Sequence, residues 1–232
     1  MEYDLKDIDI DIDVIYGRTD DKTRIPLTQT FSDIKLDNVL GSNVKFTYGD
    51  WFSRVSYLQA ELNLSDPRIE AISKMLVGQL ASIKDDVVVD NERVNFIGVG
   101  ASYDDGDVYF ISEYTQGKFG RSVLTNVERS FYMTVGKYLG KHRFYLTYGT
   151  DRNTGNDHLI DQLDALPDNL KEMTDVLRNF AFSSSEKERM FNIGYRYEVS
   201  STLAFKSSIE HNEYLDKGMR DVVGRFSLTM VF

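Results

Sequence analysis

The chain has 232 residues and a formal net charge of -10, with 27 Lys and Arg against 37 Asp and Glu. Nucleic-acid binding needs Lys and Arg clustered on one face, and no such cluster occurs, so we expect no nucleic-acid partner. The absence of cysteine excludes disulfides, thiolate nucleophiles and zinc-thiolate sites. No phosphate-binding loop or other cofactor motif is found, and we expect neither a cofactor nor a bound metal.

No segment approaches the roughly 18 consecutive apolar residues of a transmembrane helix, which excludes a helical membrane protein. A transmembrane β-barrel is compatible with the sequence, because half of its strand residues face water and its mean hydropathy can be as low as the observed -0.36. The N-terminal residues Met1, Glu2, Tyr3 and Asp4 lack the basic and apolar regions of a secretory signal peptide. We therefore expect either a protein that is not exported or a processed or shortened chain.

The N-terminal segment from Ile8 to Tyr16 alternates between apolar and acidic residues. Asp9, Asp11 and Asp13 occupy one side of this segment, and isoleucine, valine and tyrosine residues occupy the other. A period of two is typical of a β-strand with two unlike faces. The last residues of the chain show the same alternation and predict a second such strand.

Eight further segments are predicted as strands from their alternation, their β-branched or aromatic content and their flanking turn residues. These segments are 36–48, 51–63, 93–103, 107–116, 126–139, 142–151, 189–199 and 202–211. With the two terminal strands, about ten strands result, an even number. Tight turns at 49–50, 104–106, 140–141 and 200–201 alternate with long loops at 19–35, 64–92, 117–125, 152–188 and 212–220. This alternation predicts an up-and-down meander.

Two of the long loops carry the spacing of short amphipathic helices. In the segment at about 66–84, Pro67 follows a Ser-Asp pair, and apolar residues recur every three or four positions. The segment at about 159–181 shows the same spacing after Pro167. We expect these helices to pack over or into the mouth of a barrel rather than to bind a partner.

The second face of the predicted strands is too charged to form a dry core, and we expect it to line a lumen. Its residues are Asp9, Asp11, Asp13, Lys45, Arg54, Glu113, Arg143, Arg196, Glu198, Lys206 and Arg225. Tyr and Phe on the apolar face often lie near strand ends, as in the aromatic girdle of a membrane barrel. The strands also approach the roughly 9 to 11 residues that cross a bilayer at a tilt. These features favour a transmembrane barrel over a soluble one, although Leu58, Ala60 and Leu62 interrupt the alternation in 51–63.

Several strand segments resemble those of gammaproteobacterial outer-membrane porins. They are Val14-Ile15-Tyr16-Gly17, Glu113-Tyr114-Thr115-Gln116, Tyr145-Leu146-Thr147-Tyr148-Gly149 and Ile193-Gly194-Tyr195-Arg196-Tyr197. The C-terminal residues Phe226, Leu228, Met230 and Phe232 resemble the terminal β-signal of bacterial outer-membrane proteins, which the barrel-assembly machinery recognises. The resemblance covers nearly the whole chain, and the terminal signature is its most specific part.

This resemblance implies an all-β fold, an antiparallel up-and-down transmembrane β-barrel that forms a single domain over 1–232. It also implies location in the outer membrane of a Gram-negative bacterium, contact with lipid and lipopolysaccharide, and often assembly as a homotrimer. The implied function is passive diffusion of small hydrophilic solutes or ions, without enzymatic activity. Porins of this kind are 16-stranded, so the chain resembles their C-terminal ten strands or a smaller self-closed barrel.

The charged lumen residues allow two arrangements. Basic residues from several strands, opposed to acidic residues from one strand, would create a transverse field that selects solutes by charge. In the other arrangement the charges neutralise each other in a filled lumen, which we expect for a closed ten-stranded barrel, since about eight strands leave room only for side chains. In a larger barrel the same residues would line water.

A calcium site at the three N-terminal aspartates is disfavoured, because alternate residues of a strand lie about 7 Å apart and do not converge on one ion. An outer-membrane protease of the omptin type is the main alternative function. His158 and His211 lie near the predicted rim beside Asp157, Glu210 and Glu213, a combination that can carry acid-base chemistry. No omptin motif accompanies them. A plugged structural or adhesive barrel without transport is a further alternative.

Overall fold

The computed structural model describes residues 8–24, 31–76, 78–120, 127–155, 157–167, 175 and 186–230. Ten strands form one sheet in the order of the chain, and every neighbouring pair is antiparallel. The strands are β1 (Ile8–Arg24), β2 (Phe31–Tyr48), β3 (Trp51–Ser65), β4 (Val89–Asp104), β5 (Val108–Phe119), β6 (Val127–Leu139), β7 (His142–Thr154), β8 (Glu186–Glu198), β9 (Leu203–Tyr214) and β10 (Met219–Met230). The predicted all-β, up-and-down arrangement is thereby confirmed.

The strands extend further than predicted at the end of the sheet where the long connections lie. β1 continues to Arg24 and β2 begins at Phe31, so their connection is 25–30 rather than the predicted 19–35. The connection predicted as a long loop at 212–220 is the short turn 215–218. The predicted bounds were too narrow because the end of β1 is polar on both faces, whereas the apolar residues at the start of β2 are out of phase with those of the rest of the strand.

The sheet is open in the described part of the chain. β1 pairs with β2 alone and β10 pairs with β9 alone, so both terminal strands are edges. An edge strand presents a row of backbone N–H and C=O groups, and these groups need partners wherever the edge lies in lipid. The predicted strand number is therefore confirmed, whereas closure of these ten strands on themselves is not observed.

A β-bulge in β2 changes which side chains reach each side of the sheet; we name its apolar side the outer face and its charged side the inner face. Asn38 has a positive φ of 51°, and the pairing of β2 with β3 shifts between Asp37 and Leu40. The extra residue places Leu36 and Ile34 on the inner face, opposite inner-face residues of β3. The bulge thus turns an apolar stretch of β2 inward.

The buried core lies on the inner face at the long-loop end, where two helical connections pack against the sheet. The β3–β4 connection contains α1 (Pro67–Met75), a 3-10 helix (Gly78–Ile83) and α2 (Lys84–Val87), and the β7–β8 connection contains α3 (Asp157–Asp164). Their buried apolar side chains join those of β3 and β4 in one cluster. The cluster consists of Ala60, Leu62, Leu64, Ile69, Leu76, Ile83, Val87, Val89, Val94, Leu159 and Leu163.

This cluster explains why β3 departs from simple alternation. Val55 and Tyr57 are exposed on the outer face, whereas Ala60, Leu62 and Leu64 are buried on the inner face beneath the helical connection. The distal half of β3 is therefore apolar on the inner face because another element covers it. The sequence showed the irregularity but not its cause.

Asp66 ties the helical connection to the sheet. Its carboxylate accepts hydrogen bonds from the Ile69 N–H at 3.2 Å and from the Ser32 hydroxyl of β2 at 2.5 Å. Asp66 and Ser32 are both buried. A carboxylate that accepts from an N–H of the first helical turn stabilises the start of a helix, so Asp66 both caps α1 and anchors it to β2.

The helices of the β3–β4 connection fall mainly within the segment predicted at 66–84. α3 begins at Asp157, slightly before the second predicted segment, and most of that segment beyond Pro167 lies outside the described residues. Among the described residues, no helix has the length and apolar character needed to cross a membrane.

Candidate functional site

The outer face is an exposed apolar belt that crosses all ten strands. Neighbouring strands continue it in register, since Val44 lies opposite Val55, Val55 opposite Val99, and Ile193 opposite Ile209. Its large exposed residues include Ile10, Ile12, Val14, Phe46, Tyr57, Ile97, Tyr114, Met133, Val135, Leu146, Phe191, Val222, Phe226 and Leu228. Soluble monomers rarely expose apolar patches above a few hundred Å². A belt across the whole sheet is therefore a surface that meets lipid or a partner.

Aromatic rings border this belt at the end where the short turns lie. The rings of Trp51 and Tyr103 are 4.8 Å apart, and the His142 ring stacks on Tyr195 and Tyr197 at 5.9 and 5.0 Å. The His142 Nδ1 also lies 2.7 Å from the Tyr195 hydroxyl. Amphipathic rings at one level of a sheet are typical of a membrane-water interface.

The predicted assembly signal lies at the free edge of the sheet. Phe226, Leu228 and Met230 of β10 occupy the outer face and are 78%, 64% and 51% exposed. Phe232 lies outside the described residues. An exposed apolar row on an edge strand is accessible to another protein, but its recognition by the assembly machinery stays a prediction.

On the inner face, β1 and β2 bring opposite charges together. The Lys45 ammonium lies 2.8 Å from the Asp13 carboxylate, which also accepts a hydrogen bond from the Asn43 amide at 3.2 Å. Asp11 lies directly opposite Lys45, and Asp9 lies on the same face nearer the short turn. The acidic residues of β1 are therefore partly neutralised by the adjacent strand.

A second ion pair spans three strands of the inner face. Arg54 of β3 reaches across β4 to Glu113 of β5, with an Nη2–Oε1 distance of 2.6 Å. Gly100 lies between them in register, and a Cβ there would be 3.3 Å from the Arg54 Cγ. The Tyr132 hydroxyl donates to the other Glu113 oxygen at 3.2 Å. The sequence identified both ions but not the glycine that lets the arginine lie flat.

The third ion pair joins Arg225 of β10 to Glu210 of β9. Both guanidinium Nη atoms bond the carboxylate, with an Nη2–Oε1 distance of 2.8 Å. The amides of Asn192 and Asn212 donate to the same carboxylate, each at 3.2 Å. Glu210 is 8% exposed, so its charge is compensated by the arginine and by both amides. Sequence reasoning missed this role because the carboxylate and arginine lie on different strands.

The remaining predicted lumen residues meet near the short-turn end of β7, β8 and β9. Arg143, Arg196 and Lys206 lie side by side in register. The Glu198 carboxylate lies 2.6 Å from the Arg196 Nε and 3.4 Å from an Arg143 Nη atom. The Arg143 guanidinium also lies over the Tyr138 ring, 4.7 Å from its centroid.

These contacts show how the charged residues are arranged within the described sheet. The inner-face carboxylates of Asp13, Glu113 and Glu210 each bind a cation of a neighbouring or next-neighbouring strand. Segregated acidic and basic walls are therefore not the pattern within this sheet. The inner face is a mosaic of local pairs with a basic cluster at one end.

The turn between β4 and β5 contains a carboxylate with a shifted pKa. The backbone N–H groups of Val108 and Asp107 and the Tyr103 hydroxyl donate to Asp105, at 2.8, 2.8 and 2.9 Å. These hydrogen bonds favour the ionised form and lower the pKa of Asp105 from its ordinary value of 3.8. The carboxylate thereby stabilises the turn when it is charged.

The residues considered for an omptin-type site do not converge in the described structure. His211 lies on the outer face, 3.6 Å from the Glu213 carboxylate, whereas Glu210 lies on the inner face and is bound by Arg225. The side chains of His158 and Asp157 are outside the described part. Among the described residues, no group of three or more His, Asp or Glu side chains could hold a metal ion.

Neither a protein-family model nor a curated protein sequence shows a significant match to the chain. Among solved structures, the chain is similar to the anion-selective porin from Comamonas acidovorans, with a TM-score of 0.54, 11% identity and coverage of 87% of this chain and 55% of that chain. It is also similar to the outer membrane channel DcaP of Acinetobacter baumannii, with a TM-score of 0.58, 14% identity and coverage of 97% and 59%.

The chain has the fold of an outer-membrane porin. At these identities the similarity concerns the fold alone. The chain spans between 55% and 59% of the length of these two proteins. The predicted resemblance to part of a larger porin agrees with this coverage and with the open sheet.

Proposed function

We propose that the chain forms the wall of a porin-type channel in the outer membrane of a Gram-negative bacterium, through which small hydrophilic solutes or ions diffuse passively. The observation that carries this proposal is the division of the sheet into an exposed apolar outer face and a charged inner face. Lipid requires the first face, and a water-filled pore requires the second.

The helical connection between β3 and β4 supports a pore of restricted width. Its buried residues, such as Ile69 and Leu76, pack on the inner face of β3 and β4 rather than outside the sheet. Asp66 holds the start of α1 against β2 through the Ser32 hydroxyl. In a pore, this connection would occupy part of the lumen at the long-loop end.

The proposal does not include enzymatic activity. Catalysis by the histidine and carboxylates of the β9 rim would require them to face a common substrate. His211 and Glu210 instead lie on opposite faces of the sheet, and Glu210 is held by Arg225. Contact with lipopolysaccharide, recognition by the barrel-assembly machinery and a homotrimeric assembly remain predictions that accompany the proposed function.

Planar-bilayer recording of the refolded full chain tests the proposal. We expect stepwise conductance whose reversal potential in a salt gradient changes when Arg54→Gln removes an inner-face cation. The matched control is Arg129→Gln on the outer face, which removes the same charge without changing the proposed pore. Equal reversal potentials for the two variants would contradict the assignment of the inner face to the pore.

Other outcomes separate the alternative functions. A protein that folds in detergent, changes gel mobility on heating and never conducts would support a plugged or structural barrel. Proteolysis of a peptide library that His211→Ala abolishes would support the enzyme. A monomeric, β-rich protein in buffer without detergent would overturn the membrane assignment itself.

A further inference from the structure

A pocket of about 440 Å³ opens on the inner face near the short-turn end of β4–β9. Its lining includes Asp104, Tyr109, Arg143, Tyr145, Arg196 and Lys206. From this pocket, and resting on the proposed porin function, we infer a binding site that retains small carboxylate solutes on their way through the pore. Binding at this site makes the channel selective for carboxylate solutes and not only for solutes of small size.

The charge of the pocket is opposite to that of the chain. Arg143, Arg196 and Lys206 supply three cations, whereas Asp104 and Glu198 are the carboxylates beside them. The pocket therefore has one excess positive charge, although the whole chain has a net charge of -10. An excess cation in a concave pocket raises the local concentration of anions.

The orientation of the two guanidinium groups suits a carboxylate. The Glu198 carboxylate accepts a hydrogen bond from the Arg196 Nε at 2.6 Å and forms an ion pair with Arg143 at 3.4 Å, so it shows where a solute carboxylate would contact the two groups. Within the described part of the chain, the Lys206 ammonium makes no hydrogen bond or ion pair, so it is available to a solute. Lys206 lies directly beside Arg196 in register.

Two tyrosines complete the pocket because glycines make room for them. A Cβ on Gly194 would lie 1.9 Å from the Tyr145 ring, and a Cβ on Gly136 would lie 2.3 Å from the Tyr109 ring. Both rings therefore lie flat along the sheet. Within the described residues, their hydroxyls make no hydrogen bond and can donate to a bound anion. The pocket volume suits a small solute and not a polymer.

Isothermal titration calorimetry of the detergent-folded full chain with succinate, at low ionic strength, tests the site. We expect saturable binding that Lys206→Gln weakens about tenfold or more, as expected for the loss of one charged hydrogen bond. Glu198→Gln should strengthen succinate binding, because it removes the internal carboxylate that competes for the two arginines. The matched control is Lys137→Gln, which removes a cation from the outer face beside the same pocket.

Equal succinate affinities of the wild type, Lys206→Gln and Lys137→Gln would contradict the proposed binding site. Weaker succinate binding by Glu198→Gln would contradict the proposed competition between Glu198 and the solute for the two arginines. Inorganic phosphate serves as the comparison ligand, and affinity equal to that of succinate would overturn the preference for carboxylates. The binding measurement does not depend on conductance. Succinate binding in this pattern without conductance would support the binding site and contradict the porin function. Conductance without succinate binding would support the porin function and contradict the binding site.

Discussion

Gly194 shows how a single residue without a side chain shapes the inner face. Tyr145 of β7 lies over Gly194 of β8, its direct neighbour in register, and Tyr109 lies over Gly136 in the same manner. A tyrosine that lies flat on a sheet needs a neighbour without a Cβ, since a methyl group would occupy the position of the ring. These two glycines are therefore packing residues rather than turn residues.

We expect Gly194→Ala to destabilise the folded chain by about 1–3 kcal/mol, because overpacking forces the Tyr145 ring away from the sheet. The control is Gly224→Ala, where a Cβ would have no neighbour within 4 Å. Urea unfolding in detergent, followed by fluorescence of the single tryptophan, Trp51, measures both variants. The double substitution Gly194→Ala with Tyr145→Ser should recover much of the loss. Equal stabilities of the two alanine variants would contradict this packing role.

The Asp105 carboxylate predicts a pH dependence of turn stability. Its pKa is lowered in the folded chain by N–H and hydroxyl donors, so its contribution is fully present above the ordinary, unfolded-state pKa of 3.8. The contribution is lost as the pH falls through the lower folded-state value. We expect Asp105→Asn to reduce the urea midpoint at pH 7 but much less at pH 2. Asp107→Asn in the same turn, whose carboxylate makes no hydrogen bond within the described residues, is the control.

At the scale of elements, the helical connections act as a core for a sheet that otherwise has none. Leu159 and Leu163 of α3 are completely buried in the cluster formed with β3 and β4. This cluster joins a connection between β7 and β8 to strands that are distant in sequence. The long-loop end is therefore stabilised by a buried apolar core. The exposed apolar belt of the sheet is instead stabilised by the lipid, detergent or partner that covers it.

We expect Leu163→Ala to destabilise this end by about 2–5 kcal/mol, the range for a buried leucine whose removal leaves a cavity. The control is Leu215→Ala in the β9–β10 turn, where the side chain is 45% exposed. Hydrogen exchange of β3 and β4 amides in detergent measures the local effect. Unchanged protection in Leu163→Ala would show that α3 does not support these strands.

At the scale of the whole molecule, the outer belt predicts that the chain is stable only in lipid or detergent. Ile193 is 68% exposed at the centre of this belt, between Leu146 and Ile209. A free apolar surface of this extent is not compatible with a stable monomer in water. The belt also provides an apolar surface for contacts between copies of the chain, which the predicted homotrimer would use.

We expect Ile193→Arg to destabilise folding into lipid vesicles by about 2–4 kcal/mol, because a charge at the bilayer midplane is costly. Val199→Arg in the β8–β9 turn should cost at most about 1 kcal/mol, since charges near the interface are hydrated. Denaturant titration in vesicles measures both variants. A similar cost at the two positions would contradict the predicted placement of the belt in the bilayer.

The open edges give a separate prediction about closure. The chain contains no cysteine. Spin labels can therefore be attached specifically to the two cysteines introduced by Asp11→Cys in β1 and Ser227→Cys in β10. We expect a distance several times the roughly 4.8 Å between paired strands, since the two strands are separate edges of the sheet. Pulsed dipolar spectroscopy measures it. A distance typical of adjacent strands would show that the ten strands close on themselves.

The alternation of the sequence determined the strand number, the meander and the two faces, because side chains of a strand point to opposite sides whatever its neighbours are. Charged residues such as Arg54 and Glu113 could therefore be placed on one face from the sequence alone. The tertiary structure decided how they pair, since the partner of Arg54 lies two strands away and depends on the glycine between them. Pairing across strands depends on register, and register is not visible in a single strand.

Only the tertiary structure also shows where the strands end, that part of β2 turns its apolar side chains inward, and how the helices pack. The polar end of β1 carries no apolar period, so its extension depends on pairing with β2. The bulge at Asn38 reverses the faces of the residues before it, which simple alternation cannot show. The structure shows which charges of this acidic chain meet, in local ion pairs and in the pocket lined by Arg143, Arg196 and Lys206. Composition gives the sum of the charges, but only the fold determines which of them meet.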